Sequence, residues 1–345
     1  MSDVLEIRTL DDSQAEAWDR FVEQSPEATF FHRSGWRTVL EKGLGHRAYY
    51  FYAVDAAGQI QGVFPLGQVK SLLFGNALIS VPFCVYGGIV SNSDKVHDAL
   101  LNAAIDLARR LNVDYLEVRN PQPLGDAWKT KHLYVNFSKE IDPDPEQNLL
   151  AIPRKQRAMV RKGIKAGLQS HIDGDVARLY EAYSESVRNL GTPVFPRPYF
   201  KMLKDVFGDA CEVLSITQGE DLVASVMSFY FRDQVLPYYG GGTFKARSLK
   251  GNDFMYWELM RRGSEKGVRV FDYGRSKSGT GSYSFKKNWG FEPTPLDYQY
   301  YLVKADAVPE INPTNPKYQL VIRLWKKLPL PLTRVIDPYI ARNLG

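Results

Sequence analysis

Ser225-Val-Met-Ser-Phe-Tyr-Phe-Arg-Asp-Gln-Val-Leu-Pro-Tyr-Tyr-Gly-Gly241 holds two β-rich runs, residues 225–231 and 234–239, parted by the charged dipeptide Arg232-Asp233. A polar break between such runs reads as a hairpin turn. Downstream, residues 253–266 carry Phe254, Trp257 and Met260 three apart with Leu259 beside them, which predicts a helix. Arg261 and Arg262 fall near its C-terminus, where cations are favoured. Val268-Arg-Val-Phe-Asp272 then returns as a strand. An antiparallel meander followed by a helix and a returning strand is an α+β arrangement, not a doubly wound nucleotide fold.

The same order occurs twice. Trp36-Arg-Thr-Val-Leu-Glu-Lys-Gly-Leu-Gly45 lies over Tyr199-Phe-Lys-Met-Leu-Lys-Asp-Val-Phe-Gly208 at an offset of 163. Ala53-Val54 and Ile60 lie over Ser215-Ile216 and Leu222 at 162. Tyr86-Gly87-Gly88 lies over Tyr239-Gly240-Gly241 at 153, and Val113-Asp-Tyr-Leu-Glu117 over residues 268–272 at 155. Four collinear blocks with so little drift point to a duplication. The first copy's late helix is expected over residues 94–111, with Val96, Leu100, Ala104, Leu107 and Leu111 at helical spacing. Residues 71–90 lack formal charge and have the length of a membrane span. Their repeat partner contains Arg232-Asp233, and they themselves contain Gly75, Asn76, Pro82, Gly87 and Gly88. Two strands turning at Phe74-Gly75-Asn76 are therefore expected in place of a span.

The 345 residues, 44% hydrophobic and 24% charged, are enough for two domains with buried cores. The net charge of +5 is unevenly divided: residues 1–150 carry −6 and residues 151–345 carry +11. The second half is the one suited to phosphorylated partners. Two cysteines, Cys84 and Cys211, exclude a disulfide scaffold and a cysteine-rich zinc site. Five scattered histidines lack ligand spacing, so no metal is expected. Met1-Ser-Asp-Val-Leu-Glu6 shows no signal-peptide pattern, and the expected location is cytoplasmic, including the inner face of the membrane. Asp142-Pro-Asp-Pro145 and Pro153 mark a linker near 140–153. The expected domains are 1–145 and 150–305, followed by a basic, proline-rich tail over 306–345. Within the tail, residues 318–328 suit a short helix, docked on the second domain or touching a membrane surface.

Three motifs carry candidate chemistry. Phe271-Asp-Tyr-Gly-Arg-Ser-Lys-Ser-Gly-Thr-Gly-Ser-Tyr-Ser-Phe-Lys-Lys-Asn-Trp-Gly-Phe291 sets Arg275, Lys277, Lys286 and Lys287 around a glycine-rich loop. That suits a phosphate or a developing oxyanion, against the alternative of a solvated surface loop. In Pro153-Arg-Lys-Gln-Arg-Ala-Met-Val-Arg-Lys-Gly-Ile-Lys-Ala-Gly167, a helix would gather Arg154, Arg157, Arg161 and Lys165 into an arc of roughly 80°. The stripe could meet nucleic-acid phosphates or be a solvated face, with Gly163 and Gly167 weakening its far end. Gly191-Thr-Pro-Val-Phe-Pro-Arg-Pro-Tyr199 is a rigid loop that either presents Arg197 and Tyr199 to a pocket or simply connects. Gly274-Arg-Ser-Lys-Ser-Gly279 has P-loop glycines without the Lys-Ser/Thr pair, and neither a dinucleotide fingerprint nor a hydrolase elbow occurs.

The repeated order resembles a tandem duplication of the acyl-CoA N-acyltransferase (GNAT)-like fold, with mixed, mostly antiparallel sheets flanked by helices. In that fold coenzyme A pyrophosphate usually rests on an Arg/Gln-x-x-Gly-x-Gly/Ala loop. The first copy's equivalent, Tyr86-Gly-Gly-Ile-Val-Ser-Asn-Ser-Asp94, has no basic residue. The second has Lys245, Arg247, Lys250 and Gly251 before its helix, an anion site with different glycine spacing. More closely, the chain resembles the FemAB-like family of aminoacyl and peptidyl transferases, in the branch found beside exosortase/PEP-CTERM and exopolysaccharide clusters. The resemblance rests on residues 153–162, Gly191-Thr-Pro-Val-Phe-Pro196, Gly251-Asn-Asp-Phe-Met-Tyr-Trp257 and residues 271–291, and it spans roughly residues 25–345.

This resemblance implies an acyltransferase that forms an amide on an amine of a peptidoglycan or exopolysaccharide precursor, with aminoacyl-tRNA as donor and no bound cofactor. It places Phe285-Lys286 at the acyl-transfer site, Lys286 stabilising the oxyanion or the leaving ribose oxygen. Asp272 is the candidate base, and Tyr283 and Asn252 join the cations above as substrate contacts. The alternatives are an acyl-coenzyme A-dependent N-acyltransferase of exopolysaccharide synthesis and a non-catalytic envelope-assembly partner using the tail.

Overall fold

In the computed structural model, residues 5–71, 74–120, 123–308 and 325–343 are described. They fall into two compact units. The first lies within Met1–Leu133, Leu296–Glu310 and Arg342–Gly345, and the second within Tyr134–Pro295 and Ile311–Ala341.

The first unit runs β1 (Glu6–Thr9), α1 (Ala15–Gln24), α2 (Gly35–Thr38), β2 (Arg47–Val54), β3 (Ile60–Ser71), β4 (Gly75–Ser80), β5 (Val90–Ser91), α3 (Asp94–Arg110) and β6 (Tyr115–Val118). The second runs from β7 (Lys129–Glu140) through α4 (Pro145–Ala151), α5 (Arg154–Lys165), β8 (Gln169–Asp173), α6 (Ala177–Leu190), α7 (Arg197–Phe207), β9 (Cys211–Gln218), β10 (Asp221–Phe231) and β11 (Gln234–Gly242). It continues with α8 (Phe244–Leu249), α9 (Gly251–Glu265), β12 (Val270–Lys277) and α10 (Gly281–Asn288), and ends with α11 (Leu330–Ala341); β13 (Pro293–Leu302), which lies between α10 and α11 in the chain, belongs from Leu296 onward to the first unit. The repeat read from the sequence is present: β2-β3-β4-α3-β6 and β9-β10-β11-α9-β12 follow the same path.

Each meander is antiparallel, and in each the returning strand joins in parallel, β6 beside β4 and β12 beside β11. The hairpin turn falls at Arg232-Asp233 as expected, with Arg232 at φ +54°. The described residues between 71 and 90 form strand and loop, and Gly75 and Asn76 of the expected turn already belong to β4. Residues 72 and 73 lie outside the described residues, and among those described no helix is long and apolar enough to cross a membrane. In α3, the Ser93 hydroxyl accepts from the Val96 N–H, and Val96, Leu100, Ala104 and Leu107 turn inward.

The unit boundaries differ from the expected ones. β7, which follows the first copy in the chain, pairs antiparallel with β12, from Glu140 opposite Val270 to Tyr134 opposite Lys277. β13, which follows the second copy, pairs with β6, Gln299 opposite Val118. Each copy thus takes its closing strand from the other half of the sequence, and the chain divides at 133/134 and 295/296 rather than at 145–150. The prolines near 140–153 serve helix starts. Asp144 caps α4 with Pro145 in its first turn, Pro153 precedes α5, and Leu149 and Ile152 are buried in the second unit's core.

Residues 318–324 of the expected tail helix lie outside the described residues, as do Pro309, Pro313 and Pro316. The tail helix that is described, α11, docks within the second unit. Arg334 donates to the Ser184 hydroxyl, and Asp337 accepts from the Val194 N–H at 3.0 Å.

α5 packs on α9 through Gly163, where an added Cβ would sit 2.8 Å from Phe254 Cβ. Gly163 is therefore a contact point, not a weak end of the helix. Gly163→Ala should lower stability by about 1–3 kcal/mol from overpacking, outweighing the roughly 1 kcal/mol gained in helix propensity. Gly281→Ala, with nothing within 4 Å, should be near neutral. Urea unfolding of both variants checks this.

Candidate active site

The second unit's central strands stay together only briefly. β11 and β12 pair at Gln234 with Val270 and at Val235 with Phe271, and then part while β11 continues to Gly242. A bulge helps to steer β11: Met227 faces Tyr239 but Ser228 faces Pro237, leaving Tyr238 extra. Beside the parted strands, Tyr256 of α9 packs on Tyr273 of β12 at 4.9 Å and on Phe285 of α10 at 5.6 Å.

Where β11 ends, a cavity of about 680 Å³ opens at the start of α9. Gly242 has no room for a side chain, since a Cβ would lie 2.4 Å from Ala246 Cβ and 2.7 Å from Asn252 Oδ1. Lys155 of α5, Arg247 of α8 and Lys250 bring three cations to the lining, against the single carboxylate of Asp253. The first N–H groups of α9 add a partial positive charge. The cavity is therefore built for an anion. Met159, Leu190, Phe244 and Phe285 make its apolar part.

Asp253 is buried, and two donors fix its Oδ1, Gln156 Nε2 at 2.7 Å and Trp289 Nε1 at 3.2 Å. Burial raises its pKa above the ordinary carboxylate value, and the two donors oppose the shift. A positioned carboxylate with a raised pKa beside an anion site can take up and release a proton.

The residues expected from the sequence divide into two sets. Arg247, Asn252 and Phe285 line the cavity. Arg154 and Arg161 are exposed on α5, and Arg157 donates to the Leu150 carbonyl. Lys245 lies outside the cavity lining, paired with Asp221 at 2.6 Å. Lys286 donates to the Gly274 and Arg275 carbonyls at 2.9 and 3.0 Å, bracing the exit of β12. Arg275 and Lys277 stack over Tyr134, and Tyr283 packs edge-on against Phe137. Asp272 is buried and accepts from the Gly274 N–H. Lys287 and Arg197 are exposed. Tyr199 is buried, stacked on Phe195 and hydrogen-bonded to the Tyr239 hydroxyl, where it packs the core instead of presenting itself to a ligand.

Lys250 lines the cavity too, as part of the anion site read before the helix; the lining residues not singled out beforehand include Lys155, Gln156 and Asp253. Asp253 stands in the Gly251-Asn-Asp motif, which is the signal that could have found it. Among the described residues, no group of histidine, cysteine and acidic side chains could hold a metal ion.

The first unit has its own cavity, about 650 Å³, beside the start of α3. Glu27, Asp94 and Asp98 line it, with no lysine or arginine. The charge asymmetry of the sequence is thus present in the two cavities.

The family described as acetyltransferase (GNAT) domain matches residues 154–287. These residues are a GNAT acyltransferase domain. No curated protein matches the sequence. Among solved structures, that of FemX covers 92% of this chain and all of its own, with a TM-score of 0.66 at 14% identity. L-PGS from Bacillus licheniformis covers 93% and 99% at 0.57 and 15%. A tandem GNAT protein from the clavulanic acid biosynthesis pathway covers 88% and 100% at 0.53 and 13%. At such identities it is the fold that is shared, and the tandem α+β architecture expected from the repeat is the observed one.

Within the GNAT domain, burial lowers the Lys286 pKa to about 8; Asp272 opposes this shift and Arg275 adds to it. The unfolded chain keeps that proton to about 10.5. Between these values the folded state binds fewer protons, so stability should rise with pH, by at most about 1.4 kcal/mol per unit. Below about 8 the whole burial cost is present. Urea unfolding across this window should show the slope in the wild type and its loss in Lys286→Met.

Proposed function

We propose that the GNAT domain moves an aminoacyl or acyl group from a phosphate-bearing donor to an amine of a cell-envelope precursor, forming an amide. The observation that carries this reading is the cavity at the start of α9, where Lys155, Arg247 and Lys250 meet a helix N-terminus beside the buried Asp253. The envelope acceptor follows from the FemAB-like resemblance, and the shared fold of FemX is consistent with it.

Aminoacyl-tRNA is the favoured donor, because exposed cations are present beyond those of the cavity. Arg154, Arg161 and Lys165 form a second row on a different face of α5 from the cavity-lining Lys155, and two rows suit a long polyanion better than a small one. Acyl-coenzyme A would use the cavity and leave the stripe idle.

In the reaction, the amine nitrogen attacks the donor's ester carbonyl and the bond from carbonyl carbon to ribose oxygen breaks. Asp253 takes the proton that the nitrogen sheds and returns it to the departing oxygen, so the products are an amide and a free hydroxyl. Gln156 and Trp289 hold the carboxylate in place. Lys286, tied to the Gly274 and Arg275 carbonyls, is a positioning residue that holds the second half of β12 against α10.

Two outcomes test this. Asp253→Asn, folded as the wild type, should lose about 10²–10⁴-fold in kcat, with donor binding little changed; unchanged turnover would remove Asp253 from the reaction. Arg247→Glu with Lys250→Glu should weaken donor binding and reduce its salt dependence. Assays with aminoacyl-tRNA and with acyl-coenzyme A, read by mass spectrometry of the amide, separate the two donors.

A further inference from the structure

Phe244 is 77% exposed, the highest value among the described large apolar side chains that face solvent. Looseness does not explain this. The Thr243 N–H donates to the Val223 carbonyl at 2.9 Å, the Thr243 hydroxyl lies 3.2 Å from the Leu222 and Val223 carbonyls, and the Phe244 N–H donates to Glu185 at 2.8 Å. Gly242, just before, is held where no Cβ fits. The main chain at Phe244 is thus fixed and its side chain stands in solvent, with the Lys245 ammonium 5.9 Å from the ring centre. It lines the same cavity as Arg247, Lys250 and Lys155, and Leu190, itself 67% exposed, lines that cavity too.

An open aromatic ring among cations is the arrangement that holds a nucleotide, with phosphates on the cations and the base stacked on the ring. An acyl chain would use Phe244 and Leu190 but would leave three cations without a counterpart. We propose that Phe244 is the stacking platform for the purine base of an adenine nucleotide, whose phosphates lie at Arg247 and Lys250. The proposal rests on the donor site of the preceding section and deepens it. The 3′ end of a charged tRNA and coenzyme A both carry a phosphorylated adenosine, so either source supplies the required chemistry.

Calorimetric titration of the full chain with adenosine 3′,5′-bisphosphate, and with inorganic pyrophosphate as a probe lacking a base, tests it. Phe244→Ala should weaken bisphosphate binding by about 5–100-fold, leave pyrophosphate unchanged, and be rescued by Phe244→Trp. If the bisphosphate binds the wild type and Phe244→Ala equally, stacking is overturned while the donor site stands. If neither probe binds the wild type, the donor site itself fails, and this proposal with it. Acetyl-coenzyme A and a short RNA stem ending in CCA form two further arms, and the one weakened by Phe244→Ala identifies the source. An affinity that grows with acyl-chain length and is lost in Phe244→Ala, while bisphosphate binding stays intact, would assign the ring to the acyl group and overturn the proposal.

Discussion

The brevity of the contact between β11 and β12 is the constraint on which the site depends. Two parallel strands that paired along their whole length would close the sheet and leave no way in. Here they share two residue pairs and separate, and the end of β11 becomes the wall of a cavity floored by the start of α9. The bulge at Tyr238 and the bare backbone at Gly242 serve that geometry, one turning the strand and the other letting α8 and α9 abut it. α5 then closes the cavity from the side, held to α9 by the Gly163 contact and by the hydrogen bond from Gln156 to Asp253.

Duplication has produced two units with the same path and opposite electrostatics. The first unit's cavity is lined by carboxylates, the second's by cations. A family match confined to residues 154–287 agrees with placing the chemistry in the second copy. In the first copy the segment before α3, Tyr86 to Asp94, has no basic residue and cannot hold phosphate in the same way.

The path of the chain was legible because its signals are local. The Arg232-Asp233 break, the spacing of α3 and α9, and four collinear blocks each depend on near neighbours in sequence. The exchange of β7 and β13 was not legible, since a strand's alternation does not name its partner, and the prolines near 140–153 mark a turn and helix starts whichever unit owns them. The site shows the same division. Arg247 and Asn252 flank a helix start, a position that can be read locally. A lysine that faces a reacting group and one that, like Lys286, caps main-chain carbonyls look alike in sequence, as do a pocket tyrosine and a core one such as Tyr199. Asp253 depends on Gln156, 97 residues away, and no local pattern carries that pairing.

The proposed transfer depends on donor phosphate settling at the start of α9, and hydrogen exchange of the full chain, with and without aminoacyl-tRNA or acyl-coenzyme A, is the test of that step. Donor should slow exchange in residues 247–253, at the end of α8 and the first turn of α9, and leave the segment before α3 unchanged. Donor-dependent protection confined to the first unit, or none at the start of α9, would contradict it.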